Sequence, residues 1–461
     1  MKKFLVFIFV LSFLLSLELI EASNAMIAYR SNTGSGLFTV KVREWNSAGS
    51  GSWDSEIELL PDTFPVSGNY VVEAVVKFSP VSSKRIIIAL NESGGLTAFV
   101  CTSSCTSPSS WTFSPVGNVW LTQPAIHSRR FDVEFETSTG DAIVVWATAS
   151  TSGTQDLAYR VLPAASSSFT EYSTPVYYID DTEHNIDLQY TWISLDRDPV
   201  STSEELVVTG FDDTNKDINA WVWDGSAWGS QTEISTAALW TYGREALAVK
   251  YAADGSKAMV LAGNGEDGQI NSKYWNGVSW TTLSTLDTDS ADPSDVLWLT
   301  LKADPAKDDL QAVVTDTGAD LHTLYWDGAT WSITSHIDTA IDMTSRRPAD
   351  FEWNPSGSTG KLVWDTDTTG TTLSQRTCSP KCTGRISTIS TYAGSGHWLA
   401  LYRNPTASDA VDILGGRLNS NFDIGSFYWD GTSYTNYGNS VITSDTTSTA
   451  YEAFSIAFQL A

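Results

Sequence analysis

Basic residues, histidine and methionine are scarce in this 461-residue chain. It has 27 Lys and Arg against 54 Asp and Glu, so its formal net charge is −27, and it has only five His and four Met. Most of such a surface would repel nucleic acid or an anionic lipid, so neither is expected as the main partner. Hydrophobic residues make up 42% of the chain, which is enough to build a core and excludes a disordered protein.

Motifs of the common enzyme classes are missing from the sequence. No two histidines show a metal-ligand spacing such as H-E-x-x-H, and there is no G-x-S-x-G elbow, Walker loop or dinucleotide fingerprint. Spacing alone does not single out a carboxylate pair for glycoside chemistry among 54 acidic residues. The sequence therefore favours a protein without catalytic activity and leaves an enzyme as the alternative.

Only one hydrophobic run is long, and it lies at the start of the chain. Phe4–Leu17 follows two lysines and ends at Glu18, and small residues follow at positions suited to a signal peptidase. The run is shorter than the roughly 20 residues of a spanning helix, although a retained anchor is the alternative. We predict that residues 1–25 are a signal peptide, with Ala22 as another cleavage position. The mature chain, residues 26–461, is then exported and has no membrane span.

Cysteine is also rare, with four residues in two pairs of identical spacing. Cys101 precedes Cys105 by four positions, as Cys378 precedes Cys382. In an oxidising compartment each pair is expected to close its own small loop as a disulfide. A joint four-thiolate zinc site is the alternative, although the usual C-x-x-C spacing is missing.

Aromatic residues are abundant at 12%, with 19 Trp, and they mark a repeat. A Trp-Asp/Asn-Gly-x-x-Trp/Tyr segment recurs at steps of about 51–52 residues, and once at twice that step, beginning at Trp223, Trp275, Trp326 and Trp429. Asp-Gly and Asn-Gly predict type I′ hairpin turns, in which both central residues take a positive φ. Trp45 begins a looser copy, and the second cysteine pair stands where one further copy is expected.

Two strand-like runs precede each hairpin, so the unit is four short antiparallel strands. Residues 26–31 match the second strand of a unit and lack a first strand, while 451–461 match a first strand and lack a second. A terminal strand that completes the first unit would close a ring and leave no open sheet edge. We therefore predict an all-β fold: a single β-propeller over residues 26–461 with eight four-stranded blades. Seven blades plus an irregular hairpin is the alternative.

The repeats resemble those of secreted β-propellers of the kelch-like or lectin-like kind over nearly the whole mature chain. The Trp-Asp-Gly-x-x-Trp hairpin is similar to that of exported repeat proteins and of fucose-binding-type lectin propellers. It departs from the sialidase motif Ser-x-Asp-x-Gly-x-Thr-Trp, because Asp and Gly are adjacent here. The resemblance implies a propeller and does not by itself imply a function, since propellers include enzymes, lectins and scaffolds.

Charged and aromatic residues gather where the first strand of each unit begins. In a propeller this strand usually lines the central channel, so the residues should surround one of its mouths. The candidate ligand-binding residues are Arg130, Tyr190, Arg244, Arg347 and Trp398. Arg would bind carboxylate or sulfate groups, and the aromatic rings would contact sugar faces. The alternative is that these arginines pair with Asp132, Glu245 and Asp350 and hold the ring of blades together.

Three weaker features concern a cation and a glycan. Alternating aspartates could gather oxygen ligands for Ca²⁺ in two turns, at Asp212, Asp213 and Asp217 and at Asp365 and Asp367. Ordinary turns are the alternative, since Asp is a good turn residue, and no other cofactor is predicted. Asn91 begins the one glycosylation sequon.

Export, repeat architecture and aromatic hairpins together predict a secreted or cell-surface module that binds a glycan or a protein. A structural subunit of a surface layer, appendage or filament, formed by self-assembly, is the second hypothesis. A polysaccharide hydrolase or lyase with its site at the channel mouth is the third.

Overall fold

A computed structural model gives the fold of most of the mature chain. The described residues are 25–32, 38–46, 52–59, 71–119, 129–148, 155–170, 174–182, 189–236, 244–265, 268–288, 294–341, 346–366, 372–390, 396–405, 411–419, 423–444, 446 and 452–459. The predicted signal peptide lies outside them except for Ala25, so its cleavage stays a prediction. The described part of the chain contains no apolar helix of membrane-spanning length.

These residues form eight antiparallel sheets, the blades of a β-propeller, with a single 3₁₀ turn at Pro108–Ser110. The strands of blade 1 are β1 (Ala25–Asn32), β2 (Phe38–Asn46), β3 (Ser52–Trp53) and β4 (Ile57–Leu59), with β34 (Phe454–Phe458). Blade 2 has β5 (Val71–Phe78), β6 (Arg85–Asn91), β7 (Gly95–Cys101) and β8 (Thr112–Asn118). Blade 3 has β9 (Phe131–Phe135), β10 (Ala142–Ala147), β11 (Leu157–Leu162) and β12 (Tyr177–Ile179). Blade 4 has β13 (Tyr190–Arg197), β14 (Leu206–Asp212), β15 (Asp217–Trp223) and β16 (Trp228–Ser235).

The other four blades follow in chain order. Blade 5 has β17 (Leu247–Tyr251), β18 (Ala258–Gly263), β19 (Gln269–Trp275), β20 (Trp280–Thr282) and β21 (Leu286–Asp287). Blade 6 has β22 (Val296–Ala303), β23 (Leu310–Asp316), β24 (Leu321–Trp326) and β25 (Trp331–Asp338). Blade 7 has β26 (Ala349–Trp353), β27 (Gly360–Trp364), β28 (Thr372–Cys378) and β29 (Ile386–Ser390). Blade 8 has β30 (Gly396–Arg403), β31 (Ile413–Asn419), β32 (Ile424–Trp429) and β33 (Tyr434–Thr443).

The terminal strand closes the ring, as predicted. β34 pairs antiparallel with β1 and forms the inner strand of blade 1, with Ile456 opposite Ile27. Phe454 and Ile456 are buried, and Ser455 Oγ accepts a hydrogen bond from the backbone N–H of Val76 in blade 2. The eight-bladed prediction is confirmed, and the alternative of seven blades is wrong.

The second strands of the blades are buried on both faces because blades pack against each other on either side. β10, β14, β18, β23, β27 and β31 consist entirely of buried residues. This explains their continuous apolar runs, in contrast to the alternation of a strand with one wet face. The core is therefore a set of layers between blades and not one central cluster.

The aromatic hairpins join each outer strand pair to a neighbouring blade. Trp223 and Trp228 pack with ring centroids 5.6 Å apart, and Trp228 also meets Tyr159 of blade 3 at 6.2 Å. In the turn between them Gly225 has a φ of 93°, whereas no other turn residue has a positive φ. The predicted type I′ turn is therefore wrong here, because glycine alone supplies the positive φ at the first central position, as in a type II′ turn. Asp224 Oδ1 accepts the backbone N–H of Ser226 at 2.9 Å and stabilises the turn.

Both cysteine pairs form local disulfides, as predicted. Cys101 bonds to Cys105 between β7 and β8, and Cys378 bonds to Cys382 between β28 and β29. Each bond occupies the hairpin position that Asp-Gly takes in other blades. The alternative of a joint zinc site is wrong, since all four sulfur atoms are in disulfides.

The blades alternate in pairs, a feature that the sequence analysis did not predict. The inner strands of the even-numbered blades have eight residues, and those of the odd-numbered blades have five. Each even strand also carries a register shift near its start, immediately before Glu73, Trp192, Trp298 or Trp398. Bulges of this kind re-aim side chains. Because strand length and bulge both alternate from blade to blade, the fold repeats as four pairs of blades.

We expect deletion of residues 451–461 to destabilise the protein and cause aggregation. The deletion removes the inner strand of blade 1 and exposes the edge of β1. Loss of the buried Phe454 and Ile456 side chains alone should cost about 3–6 kcal/mol of unfolding free energy. Urea unfolding and light scattering would measure both effects, and an unchanged midpoint in a monodisperse sample would contradict the role of this strand.

Candidate functional site

A ring of largely buried ion pairs, the axial ring, surrounds the propeller axis where the inner strands begin. Its members are Arg129, Glu245, Arg347 and Glu452, from blades 3, 5, 7 and 1. Arg347 Nη1 lies 2.6 Å from Glu245 Oε2, and its Nη2 donates to Glu452. Arg129 lies 3.3 Å from Glu245 and 3.9 Å from Glu452, so each arginine meets both glutamates. Each ion pair joins one odd-numbered blade to the next odd-numbered blade, so the four side chains surround the axis at this level.

Three tryptophans from the even-numbered blades pack against this axial ring. Trp192, Trp298 and Trp398 are at most 2% exposed, and Trp298 meets the other two edge-on at 6.1 and 5.3 Å. One arginine lies over each indole: Arg129 over Trp192 at 5.7 Å, and Arg244 over Trp298 and Arg347 over Trp398 at 5.9 Å. These cation–π contacts favour the charged guanidinium where much of its water shell has been removed.

A fifth ionisable side chain, that of Glu73 in blade 2, lies near the ring and interacts with Arg129. Burial raises the pKa of Glu73 well above its usual value, although Arg129 opposes the shift. Burial likewise raises the pKa of Glu245, and Arg347 and Arg129 oppose it. Burial alone would lower the pKa of Arg347, but the carboxylates of Glu452 and Glu245 raise it. Three glutamates therefore share two arginines, and the neutral form of Glu73 is the one that folding favours.

Three of the five predicted ligand residues lie at this mouth. Arg347 belongs to the ring, Trp398 is buried against it, and Arg244 is partly exposed above Trp298. Among the described residues, Nε and Nη1 of Arg244 have no hydrogen-bond partner. Arg347 meets Glu245, a partner that the alternative hypothesis had named.

The other two predicted residues are not members of the axial ring. Tyr190 is buried in blade 4, where its hydroxyl lies 3.2 Å from Asp181. Arg130 is 5% exposed, and its carbonyl accepts the N–H of Ala147 within blade 3. A ligand at the five predicted residues stays a prediction.

Sequence reasoning missed Trp298, although its signal was present. Trp192, Trp298 and Trp398 are spaced by about 100–106 residues, which is two repeat units.

Below the ring the channel holds a cavity of about 380 Å³ lined by both signs of charge. Glu134 accepts from Lys77 at 2.7 Å and from Arg197 at 3.0 Å. Glu352 lies between Lys302 and Arg403 in the same way, at 3.3 and 3.7 Å. Burial alone would raise the pKa of Glu134, but Lys77 and Arg197 lower it to about 2. These charges are matched, so they hold neighbouring blades together.

A second aromatic group lies on the outer rim at the boundary of blades 3 and 4. Tyr177 of the edge strand β12 stacks on Tyr159, with centroids 5.3 Å apart and an interplanar angle of 26°. Tyr159 then meets Trp223 and Trp228 edge-on at 5.7 and 6.2 Å. Tyr177 is 48% exposed and Trp228 is partly exposed. We call these four residues the rim cluster; the exposure of Tyr177 could not be predicted from sequence.

The predicted calcium carboxylates have other partners. Asp212 accepts backbone N–H groups of Thr214 and Asn215, which is the geometry of an ordinary turn. Asp213 pairs with Lys216, and Asp365 forms a buried ion pair with Arg417 at 3.0 Å. Asp217 is buried, and Asp367 lies outside the described residues.

The sequon residue Asn91 also contributes to a turn. Its Oδ1 accepts the backbone N–H of Ser93 and of Gly95, at 2.9 and 2.8 Å. Its glycosylation stays a prediction.

Comparison with known proteins supports the fold. No protein-family model matches the chain, and no curated protein matches its sequence. The BP39L lectin from Burkholderia pseudomallei is 11% identical with a TM-score of 0.50, covering 79% of this chain and 98% of its own. A six-bladed fungal lectin from Aleuria aurantia has 11% identity, coverage of 70% and 96%, and a TM-score of 0.37. A putative 6-phosphogluconolactonase from Bacteroides uniformis has 11% identity, coverage of 80% and 97%, and a TM-score of 0.41. At such identities the Burkholderia protein shows a shared propeller fold and no more.

We expect Arg347→Gln to lower the unfolding free energy by about 3–5 kcal/mol at neutral pH, because two buried glutamates lose a shared partner. Glu73→Gln is the matched variant from the same mouth and should stabilise the protein. The stability linked to a raised carboxyl pKa is present at low pH and is lost as pH rises through the folded-state pKa. The native protein should lose stability as the pH rises above the ordinary pKa of a glutamate, and Glu73→Gln should remove this loss. Urea unfolding across pH would measure this; equal effects of the two variants would contradict the ring.

Proposed function

We propose that this protein is a carbohydrate-binding propeller that acts outside the cell without catalytic activity. The observation that supports it most directly is the rim cluster, with its exposed Tyr177 ring stacked on Tyr159. One face of a sugar ring is apolar, and it packs well on a flat aromatic face whose rim offers polar groups. The predicted signal peptide and the two disulfides support a location outside the cell.

The exposure of Tyr177 distinguishes the rim cluster from the tryptophan pairs of the other hairpins. Tyr177 lies beside Val176 and Tyr178, which are 38% and 47% exposed, so three consecutive large side chains face solvent. Successive strand residues point to opposite faces, so Tyr177 and Tyr178 expose aromatic rings on both faces of the edge strand β12. Large apolar side chains gathered at the surface of a soluble protein are usually a site of interaction. Tyr159 is only 8% exposed and supports Tyr177 from below, while Trp223 Nε1 donates to Glu136 at 2.6 Å and is held in place. The platform is thus rigid.

The fold is compatible with this role. The Burkholderia lectin is a propeller of similar fold, and by its name it binds carbohydrate. The axis of this chain is a poor place for a long substrate, because the side chains that surround it there are largely buried and already paired with one another. Recognition on the outer rim leaves the axial ring undisturbed. This favours a binding protein over a hydrolase or lyase with its site at the channel mouth.

Glycan-array screening of the mature protein is the first experiment, followed by calorimetry with a glycan that binds. We expect Tyr177→Ala to weaken binding about tenfold, because an aromatic contact of this kind contributes about 0.5–1.5 kcal/mol beyond its buried area. Phe113→Ala is the matched control: Phe113 is a 37% exposed aromatic residue on the outer strand of blade 2. It should leave binding unchanged.

Two outcomes would contradict the proposal. If the folded protein binds no glycan, and Tyr177→Ala instead dissolves an oligomer seen by light scattering, the exposed edge strand β12 serves self-assembly. If a glycan binds equally to the Tyr177→Ala and wild-type proteins, the site lies elsewhere on the propeller.

A further inference from the structure

A buried group of carboxylates and histidine lies in blade 6, apart from the axial ring and the rim cluster. Asp316 ends β23, Asp320 precedes β24, and His322 is the second residue of β24. One ligand atom from each of these three side chains lies within 4.8 Å of the others. His322 Nε2 is 3.0 Å from Asp316 Oδ2. The three residues are only 0–4% exposed.

A second histidine is brought to this group by an irregularity in the sheet. Leu321 pairs with Asp338 and Thr323 with Thr334, so residues 335–337 bulge opposite the single residue His322. His336, inside the bulge, has a φ of 50°. Its Nε2 lies 4.0 Å from Asp320 Oδ2, and its ring centroid is 5.2 Å from that of His322. Bulges commonly re-aim a side chain toward a site.

We propose that Asp316, Asp320, His322 and His336 form a binding site for a divalent transition metal, with Zn²⁺ the best fit. Two imidazoles and two carboxylates are ligands that zinc accepts in a tetrahedral arrangement. Bonds of about 2.0–2.2 Å place tetrahedral ligand atoms roughly 3.4 Å apart. The separations of 3.0 Å between His322 and Asp316 and of 4.0 Å between His336 and Asp320 bracket this value. Asp316, Asp320 and His322 form the compact part of the site, and the partly exposed His336 side chain must turn towards them to complete it.

The surroundings orient Asp316 for the ion and hold His322 in a tautomer that metal binding has to change. Asp316 Oδ1 accepts the backbone N–H of Gly318 and of Asp320, at 2.9 and 3.0 Å, which leaves Oδ2 directed at His322. His322 Nδ1 accepts the N–H of His336 at 3.3 Å, so without metal Nε2 carries the proton and donates to Asp316. Metal binding at Nε2 moves this proton to Nδ1 and breaks the long contact to His336. His336 itself is 39% exposed at the side chain and gives the ion a path from solvent.

Blade 4 provides an internal comparison. Its turn carries Asp212 and Asp217 in the same positions, and Asn219 stands where blade 6 has His322. Asn219 donates its amide to Asp181 at 3.0 Å and is fully buried. Asparagine therefore fits this place in the fold, and His322→Asn converts the blade 6 site to the blade 4 pattern.

The experiment is calorimetric titration of the untagged, EDTA-treated protein with Zn²⁺, supported by the visible absorption of bound Co²⁺. We expect one strong site per chain and a tetrahedral Co²⁺ spectrum. His322→Asn should weaken zinc binding on the order of 100-fold, since loss of even an outer-shell partner costs 10–100-fold. Asp213→Asn in blade 4 is the control and should bind zinc like the wild type. Circular dichroism and melting without metal confirm that each variant is folded.

Two results would overturn the proposal. One is a wild-type protein without a tetrahedral Co²⁺ spectrum, which needs no variant to interpret. The other is equal zinc affinity of the wild type and a folded His322→Asn variant, which would assign the bound ion to other residues. Neither result bears on glycan binding at the rim cluster, because the two sites share no residue.

Discussion

The axial ring is the interaction on which the closed propeller depends. Its four members come from four different blades: Arg129, Glu245, Arg347 and Glu452. Each arginine pairs with both glutamates, so the ion pairs run around the axis. Glu452 precedes the terminal strand, so the ring is complete only when that strand has joined blade 1. Buried ion pairs add little net stability over apolar packing, yet one unmatched member is very costly. The ring therefore acts against incomplete or misassembled closures more than it stabilises the correct one.

The axial ring follows from the alternation of odd and even blades. Odd blades present the charged residues, and even blades present Trp192, Trp298 and Trp398, or Glu73 in blade 2. Backbone bonds follow the same period, since the N–H groups of Ile193, Leu299 and Leu399 each donate to a ring residue of the preceding odd blade. Charges of opposite sign can alternate around the axis only if the number of odd blades is even, so the total number of blades must be a multiple of four. The alternating charges and the alternating length of the inner strands are thus two expressions of one repeat.

Sequence periodicity predicted the blades well because each strand is specified locally. The apolar run of β18 and the Gly225 turn carry their own signals, and the incomplete units at the two termini predicted the closing strand. The candidate site was harder, because a register shift of one residue decides where a side chain points. Tyr190 and Trp192 begin the same strand, yet the shift between them directs Trp192 to the axis and leaves Tyr190 beside Asp181. Exposure of Tyr177 depends on packing between blades, which no local pattern encodes.

These constraints separate the functions of the two ends of each blade. Residues near the axis must satisfy many partners at once, so substitution there to suit a ligand would disturb the ion-pair ring. At the rim each hairpin contacts one neighbouring blade, and its aromatic residues tolerate exposure because the disulfides or Asp-Gly turns hold the backbone. Two features that belong to particular blades lie outside the axial ring: the rim cluster between blades 3 and 4, and the buried His322 of blade 6, which stands where blade 4 has Asn219. Ligand recognition is best sought where the repeat is broken, since identical blades would offer no reason for a single site.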